Sequence, residues 1–290
     1  MKYITKNKLH FNYVFTSHVY LNALIGLLLK FKALKTEYFI ARESTSIFTR
    51  FKGSKLLSYK LAYKIGYYNI NLLICQTQFM KDQLILNIPF IKNRTLVKVI
   101  PNPINLNYSQ KIKTNQKIQS CNHDYIVSAG RLIDEKGFDI LIKSFELLKK
   151  DFPNLYLYIL GNGQNKTELK SLVNNLNLST SVIFTGHVDD VYSYFKYAKI
   201  CVVSSRVEGF PNVLLQMMSQ NTKVVSTLCA GGINEIKGIF TCNTECINSL
   251  YESLKLCYSS DTSFNRKEFD LFLETRTIIK FIQQINSYIE

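Results

Sequence analysis

The sequence predicts an α/β protein of two domains, the second built on a parallel, doubly wound sheet. Three observations carry this. Short apolar runs at 125–129, 155–160, 182–184, 200–203 and 223–226 alternate with helical patterns, and strands that alternate with helices pair in parallel. The stretch 105–123 is dominated by Lys, Asn, Gln and Ser and follows Pro101-Asn102-Pro103, which reads as a linker. Charge also divides there: residues 1–120 hold 19 Lys+Arg against 3 Asp+Glu, and residues 121–290 hold 17 against 18. The net charge of +15 therefore belongs to the first part of the 290-residue chain.

In chain order, residues 1–12 are basic and poorly patterned. A short strand is expected at 13–17, then an apolar helix from His18 to about Lys32. A strand at 38–41 ends in Arg42-Glu43-Ser44, and 55–67 reads as an aromatic, basic helix. After a strand at 72–75, Thr77 is placed to cap a helix beginning near Gln78. The strand at 96–100 stops at two prolines, which cannot continue a ladder. Beyond the linker, the strand at 125–129 leads into a loop at 130–137 and a helix striped by Ile140, Leu141, Phe145 and Leu148. The strand at 155–160 ends in Gly161-Asn162-Gly163 and is followed by a helix to about Leu176; the strand at 182–184 ends in Thr185-Gly186-His187. Helices are expected at 191–198, 211–219 and 245–257, a further strand at 239–241, and closing helix over 264–290. The domains are thus 1–104 and 124–265, with 266–290 expected as a terminal helix or helices returning toward the first domain.

The chain is long enough to bury a core, and 47% apolar content is that of a globular protein. Seven cysteines at 75, 121, 201, 229, 242, 246 and 257 form no C-x-x-C pair and have no clustered histidines, so reduced thiols in a cytoplasmic protein are expected and a metal site is not. The longest apolar run, 19–29, contains Asn22 and is too short to span a membrane. A basic first half points to an anionic partner: a membrane surface, a nucleic acid or a phosphorylated substrate. No nucleic-acid motif accompanies it, and nucleic acid is not an expected partner.

Ligands of such sheets bind beyond the carboxyl ends of the strands, so the loops at 130–137, 161–163, 185–188, 204–210 and 228–232 should gather on one rim. Glu208 stands just before Gly209-Phe210-Pro211, where Pro211 suits the first turn of a helix with an apolar face of Leu214, Leu215 and Met218. A carboxylate accepts from hydroxyls and a helix N-terminus favours anions, which suits a polyol next to a phosphate. The blander reading of Glu208, a charge complement to the helix, is worth only ~0.3–1 kcal/mol, and against it Gly209 before Phe210-Pro211 lets the backbone approach a ligand closely. Gly130-Arg131 with Lys136 can clamp a diphosphate, or be ordinary rim charges. Gly161-Asn162-Gly163 reads as turn chemistry, since no third glycine completes a dinucleotide fingerprint. Gly186-His187-Val188 could offer backbone groups to a base edge, with His187 equally a solvent-facing residue. His18 leads a helix as a cap or core residue, and Arg42-Glu43 reads as a surface ion pair.

Together these pieces resemble the retaining glycosyltransferases of family 4, which have the two-domain GT-B fold of two Rossmann-like domains. The matching residues are Val127-Ser128-Ala129-Gly130-Arg131-Leu132 with Lys136-Gly137-Phe138-Asp139, Leu160-Gly161-Asn162-Gly163, Phe184-Thr185-Gly186, Glu208-Gly209-Phe210-Pro211-Asn212-Val213-Leu214-Leu215, and Gly231-Gly232. They cover about 125–236, and the match extends weakly back through Val99 to Pro103, Arg42-Glu43-Ser44 and Phe15-Thr16-Ser17-His18. The resemblance implies a nucleotide-diphosphate sugar donor, UDP-linked, and no further cofactor. Arg131 and Lys136, with Gly130 and Gly163 beside them, would hold the diphosphate and neutralise the leaving group without a metal ion. Glu208 would bind donor-sugar hydroxyls. Gly209, Phe210, Pro211, Asn212 and Val213 would approach sugar and phosphate, Val188 would lie near the base, and His18 near the donor sugar.

Two departures accompany the resemblance. The family's second glutamate, eight residues after the first, is here Gln216, which lacks charge-assisted strength toward the ribose. The family's N-terminal strand and Gly-rich loop have no counterpart in residues 1–12, so a shortened first domain is expected. The implied function is a hexosyltransferase-type enzyme of surface polysaccharide assembly, O-antigen or capsule, acting on a glycan or polyprenyl-diphosphate-linked acceptor. It would be peripheral on the inner face of the cytoplasmic membrane, with Lys30, Lys32, Lys52, Lys55, Lys60 and Lys64 facing anionic lipid. The alternative is a non-catalytic nucleotide-sugar binder or half of a split enzyme.

Overall fold

The computed structural model describes residues 10–106 and 123–289. The expected linker at 105–123, and Cys121 within it, lie almost wholly outside the described residues. Two compact units divide the chain, 1–103 with 278–290, and 104–277. Each holds one parallel sheet with helices against it.

The first unit runs β1 (His10–Thr16), α1 (Val19–Lys30), β2 (Lys35–Arg42), α2 (Ile47–Arg50), α3 (Gly53–Gly66), β3 (Leu72–Cys75), α4 (Gln78–Asn87) and β4 (Leu96–Val99). The described strands pair in the order β1-β2-β3-β4, all parallel. β3 is Leu-Leu-Ile-Cys and buried at every position. α1 and α3 cover one face with Val19, Ala23, Leu28, Tyr59, Ala62 and Tyr63. Thr77 caps α4, its hydroxyl accepting from the amide of Met80 at 3.1 Å. Asn22 sits fully buried in the apolar α1 because its amide is satisfied. Its Oδ1 accepts from the Thr16 hydroxyl at 2.6 Å, and its Nδ2 donates to the Arg42 carbonyl at 3.2 Å and to Tyr67 Oη at 3.1 Å. β1 begins three residues before its expected start; His10, Phe11, Asn12 and Tyr13 are all exposed, so they show no period-two pattern.

The second unit runs β5 (Tyr125–Ala129), α5 (Phe138–Asp151), β6 (Tyr156–Leu160), α6 (Lys166–Asn175), β7 (Val182–Gly186), α7 (Val191–Tyr197), β8 (Ile200–Val203), α8 (Asn212–Met218), β9 (Val224–Thr227), β10 (Phe240–Cys242), α9 (Ile247–Ser259) and α10 (Asn265–Glu274). Its sheet order is β10-β9-β8-β5-β6-β7. The chain winds outward from β5 to β7, returns to β8 beside β5, and winds outward the other way. Both faces are covered: along β5, Ile126 packs into one apolar cluster, Tyr125 and Val127 into another. Burial pushes the thiols of Cys229, Cys242 and Cys257 up to about 12, which keeps them protonated packing groups.

The helix expected over 264–290 is broken at 275–277, where the Arg276 carbonyl accepts from the amide of Ile104 at 2.8 Å and Thr277 bridges Ile104. The last helix, α11 (Ile278–Ile289), belongs to the first unit. It places Phe281, Ile285 and Ile289 against Ile40, Leu72, Ile74 and Ile100. No helix among the described residues is long and apolar enough to cross a membrane.

Candidate functional site

In the second unit the winding reverses between β5 and β8, and crevices at such reversals, outside the carboxyl ends, are where doubly wound sheets take ligands. The loop after β5 carries Gly130, Arg131 and Lys136; the loop after β8 carries Ser204 to Phe210. The two are tied directly. The Arg206 amide donates to the Glu135 carbonyl at 2.8 Å, and the Ser204 hydroxyl donates to the Lys136 carbonyl at 2.9 Å. Gly137, with φ +61°, lies where a Cβ would stand 2.2 Å from the Ser204 carbonyl oxygen, so only glycine permits this approach.

The tie brings Lys136 and Glu208 together. Lys136 Nζ lies 2.5 Å from Glu208 Oε1, and the Ser205 hydroxyl donates to the same oxygen at 3.0 Å. The Glu208 amide donates to the Cys229 carbonyl at 2.8 Å, fixing the acid's backbone to the loop after β9. Both side chains are about one-fifth exposed, enough to meet a ligand and little enough for their charges to count. Gly130 makes room for the lysine, whose Cδ and Cε lie where a Cβ would touch them at 3.4 Å. Arg131 is exposed on the same loop as Lys136.

Gly161 and Gly163 are more than turn formers, which corrects the sequence reading. A Cβ on Gly161 would stand 2.0 Å from the Gly130 carbonyl oxygen, and one on Gly163 2.2 Å from that of Leu132. Reciprocal backbone bonds hold the two loops together: the Leu132 amide donates to the Asn162 carbonyl and that of Asn165 to the Leu132 carbonyl, both at 3.0 Å. The close approach is between strand-end loops, a long-range relation that a G-x-G pattern does not show.

Pro211 is also corrected. It occupies the cap position with extended backbone (ψ 105°), and α8 starts at Asn212. Gly209, Phe210 and Pro211 are buried, Asn212 is exposed, and Val188 and Val213 are half-buried against the same apolar cluster as Phe210. Gln216 is half-buried on α8. His187 faces solvent, 3.7 Å from Asp189.

Two arginines were missed by sequence reasoning. Arg206 grips Asp139 through its two terminal guanidinium nitrogens at 2.8 and 2.7 Å and donates to the Asp134 carbonyl at 2.6 Å. Burial pushes the Asp139 carboxyl up, but the bonds and charge of Arg206 outweigh it and hold the acid below its ordinary value. Arg276 lies over Phe210 at 4.7 Å and Phe272 at 4.3 Å, and burial pushes it down to about 10. Neither belongs to a local motif, and each acts on a loop distant in sequence.

In the first unit the Arg42-Glu43 reading is overturned. Glu43 is 2% exposed, and its two carboxylate oxygens accept from Tyr63 Oη at 2.7 Å and Tyr67 Oη at 2.6 Å. Arg42 turns instead to the side-chain oxygen of Asn102. The signal was present: Tyr63 and Tyr67 stand four apart, on one face of a helix. His18 is exposed at the start of α1, makes no capping bond, and lies against the rings of Tyr20 and Tyr59 at 5.5 and 6.4 Å. Among the described residues no group of three or more His, Cys, Asp and Glu is placed to hold a metal ion.

Residues 110–238 match the family of glycosyl transferases group 1. The chain is 33% identical over 182 residues, 61% of its length and 44% of the relative's, to an uncharacterized glycosyltransferase of Methanocaldococcus jannaschii. It is 30% identical over 173 residues, 54% of its length and 46% of the relative's, to the N-acetylgalactosamine-N,N'-diacetylbacillosaminyl-diphospho-undecaprenol 4-alpha-N-acetylgalactosaminyltransferase of Campylobacter jejuni subsp. jejuni serotype O:2. Other relatives are named for lipopolysaccharide core and capsular polysaccharide biosynthesis. The chain spans about half the length, or less, of the curated relatives it matches. Among solved structures, Anabaena HepE in complex with UDP superposes with a TM-score of 0.78 at 17% identity, covering 95% of this chain and 78% of that one. That likeness shows the GT-B fold.

Proposed function

We propose that the chain transfers a sugar, with retention, from a UDP-linked nucleotide-diphosphate sugar to a glycan or polyprenyl-diphosphate-linked acceptor in surface polysaccharide assembly. The observation that carries this is the Lys136–Glu208 pair at the winding reversal. A cation and a carboxylate held side by side suit a ligand with phosphate at one end and hydroxyls at the other. In this reading Lys136 and Arg131 bind the diphosphate, and Glu208 accepts from donor-sugar hydroxyls once the ligand enters between the pair. The loops holding Gly130 and Gly163 border the diphosphate, the backbone from Gly209 to Val213 approaches sugar and phosphate, Val188 borders the base, and Gln216 meets the ribose. Cleavage of the bond between the anomeric carbon and the diphosphate oxygen leaves negative charge on that oxygen, where two cations stabilise it. The acceptor oxygen forms the new bond on the same face, and its proton passes to the departing diphosphate.

The group 1 match and the lipid-diphosphate wording of the Campylobacter relative's name support the reaction class and acceptor. For a peripheral position on the inner face of the cytoplasmic membrane, support comes from α3. Leu57, Leu61 and Ile65 are exposed at four-residue spacing, with Lys60 and Lys64 between them, and the helix has no acidic residue. The test is a panel of nucleotide-diphosphate sugars offered to the purified chain with a polyprenyl-diphosphate-linked sugar. The product's anomeric configuration is read by NMR. Transfer with retention from one donor is expected; inversion would overturn the stereochemical reading. Binding without turnover would select a non-catalytic nucleotide-sugar binder, the reading that Gln216 favours.

A further inference from the structure

Arg276 is a cation held among apolar groups without a carboxylate to explain it. Its guanidinium is pushed down to about 10, with burial as the one cause, and Nη1 is buried without a hydrogen-bond partner. The backbone is fixed on both sides. The Arg276 amide donates to the Leu273 carbonyl at 2.9 Å, and its carbonyl accepts from the Ile104 amide at 2.8 Å. Leu273 and Ile104 are buried in the apolar cluster that also holds Phe210, Leu214 and Leu215. From this anchored position the side chain lies over two rings, Phe272 at 4.3 Å and Phe210 at 4.7 Å. An apolar side chain would fill such a place without stranding a donor, since an unpaired buried polar group costs stability. What a guanidinium adds is a flat cation that stacks on ring faces. A local rule broken in this way is expected where function needs it, and here it is broken against the segment that carries Glu208.

That segment is tethered at its two ends. The Glu208 amide is bonded to the Cys229 carbonyl at 2.8 Å, and Asn212 opens α8. Of the three residues between, only Phe210 carries a large side chain to seat the backbone. Phe210 is 5% exposed, so its ring is a packing surface and not a ligand contact. We infer that Arg276 is a positioning residue for Glu208: by stacking on Phe210 it sets how deep the segment 208–212 sits, and so where the carboxylate stands. Without the guanidinium, the Phe210 ring loses one of its supports and the segment can sink. The loop with Arg131 and Lys136 is held by other bonds, from the Leu132 amide to the Asn162 carbonyl and from the Asn165 amide to the Leu132 carbonyl. The phosphate contacts therefore do not depend on Arg276, and the sugar contact does. This role rests on the donor reading in one respect: Glu208 must contact the donor sugar.

The experiment titrates UDP and a UDP-sugar into the full chain by calorimetry. The UDP-sugar is whichever of UDP-glucose, UDP-galactose and UDP-N-acetylglucosamine the wild type binds most tightly. The variants are Arg276→Met, Arg276→Lys, Glu208→Ala and the double variant Glu208→Ala with Arg276→Met. Arg276→Met keeps an unbranched stem and removes the planar cation; it should weaken the UDP-sugar about ten-fold and leave UDP within about two-fold. Arg276→Lys keeps charge and stem but not the flat stack, and should lose about three-fold in the same ratio. It supplies the reading if Arg276→Met lowers the urea midpoint too far to titrate. In the Glu208→Ala background, Arg276→Met should cost the UDP-sugar nothing further, because the carboxylate it positions is gone. A residue that only packs would behave otherwise: UDP and UDP-sugar affinities would move together, or the losses would multiply in the double variant, and either result would overturn the role. If Glu208→Ala lowers the preference for UDP-sugar over UDP while both Arg276 variants leave it unchanged, this role alone fails. If Glu208→Ala leaves that preference unchanged, the donor reading fails and the role falls with it.

Discussion

At the scale of the residue, the chemistry concentrates on Glu208 and its neighbours. Removing the carboxylate by Glu208→Ala removes a charge-assisted acceptor, worth about 2 kcal/mol, or roughly 30-fold in donor affinity. Calorimetry with a UDP-sugar panel checks this. Gln216→Glu should act in the opposite direction, tightening the same donor several-fold, because a carboxylate accepts from ribose hydroxyls more strongly than an amide does. Glu43 makes a different prediction, on stability. Its carboxyl is raised in the folded state, so the native protein holds that proton more tightly than the unfolded chain does. Its contribution is therefore most favourable below the unfolded value near 4.5 and declines as pH rises through the folded value. Urea midpoints measured across pH 4 to pH 8 should fall less steeply with rising pH in Glu43→Gln than in wild type. An unchanged slope would show that Glu43 does not titrate in this range. Glu208 and Lys136 were legible because each lies within a short pattern at a strand end. Glu43 was misread because its partners lie 20 and 24 residues away on a helix whose inward face had not been assigned.

At the scale of the element, the strand-end loops fit one another through missing side chains. Gly163→Ala would drive a Cβ into the Leu132 carbonyl, a backbone atom that cannot step aside without moving the Gly130–Arg131 loop. A cost of about 1–3 kcal/mol is expected, seen as a lower urea midpoint together with weaker UDP binding. Arg206→Ala should act by position: the loop before Glu208 loses its anchor on Asp139 and Asp134, and donor affinity falls while the Glu208 carboxylate remains. Arg206→Lys should restore it only in part, because an ammonium cannot reproduce the two-pronged bond to Asp139. The strands were largely legible, since runs such as Leu72–Cys75 and Ile200–Val203 are apolar throughout, as parallel strands covered on both faces must be. The start of β1 and the break between α10 and α11 were not. The first lacks alternation, and the second is set by the pairing of 276 and 277 with Ile104, far away in sequence.

At the scale of the whole molecule, the proposed membrane association makes its own prediction. Lysines and exposed leucines share α3, so binding to vesicles should require anionic lipid and weaken with salt. Replacing Leu57 and Leu61 together by serine should reduce binding at constant charge; undiminished binding would assign the association to charge alone. The reversal of winding at β5 and β8 could be expected from the alternation of strands and helices, but the strand order could not, because it depends on which side of β5 the chain returns to. That order places Lys136 against Glu208, and the proposed chemistry depends on it. The direct test is calorimetric titration of UDP and a panel of UDP-sugars into the wild-type chain, Lys136→Ala and Glu208→Ala. Lys136→Ala should weaken both UDP and UDP-sugar, because it removes a phosphate contact. Glu208→Ala should weaken the UDP-sugar while leaving UDP nearly unchanged, because it removes a sugar contact. Equal affinities across all three proteins would contradict a donor site at this pair.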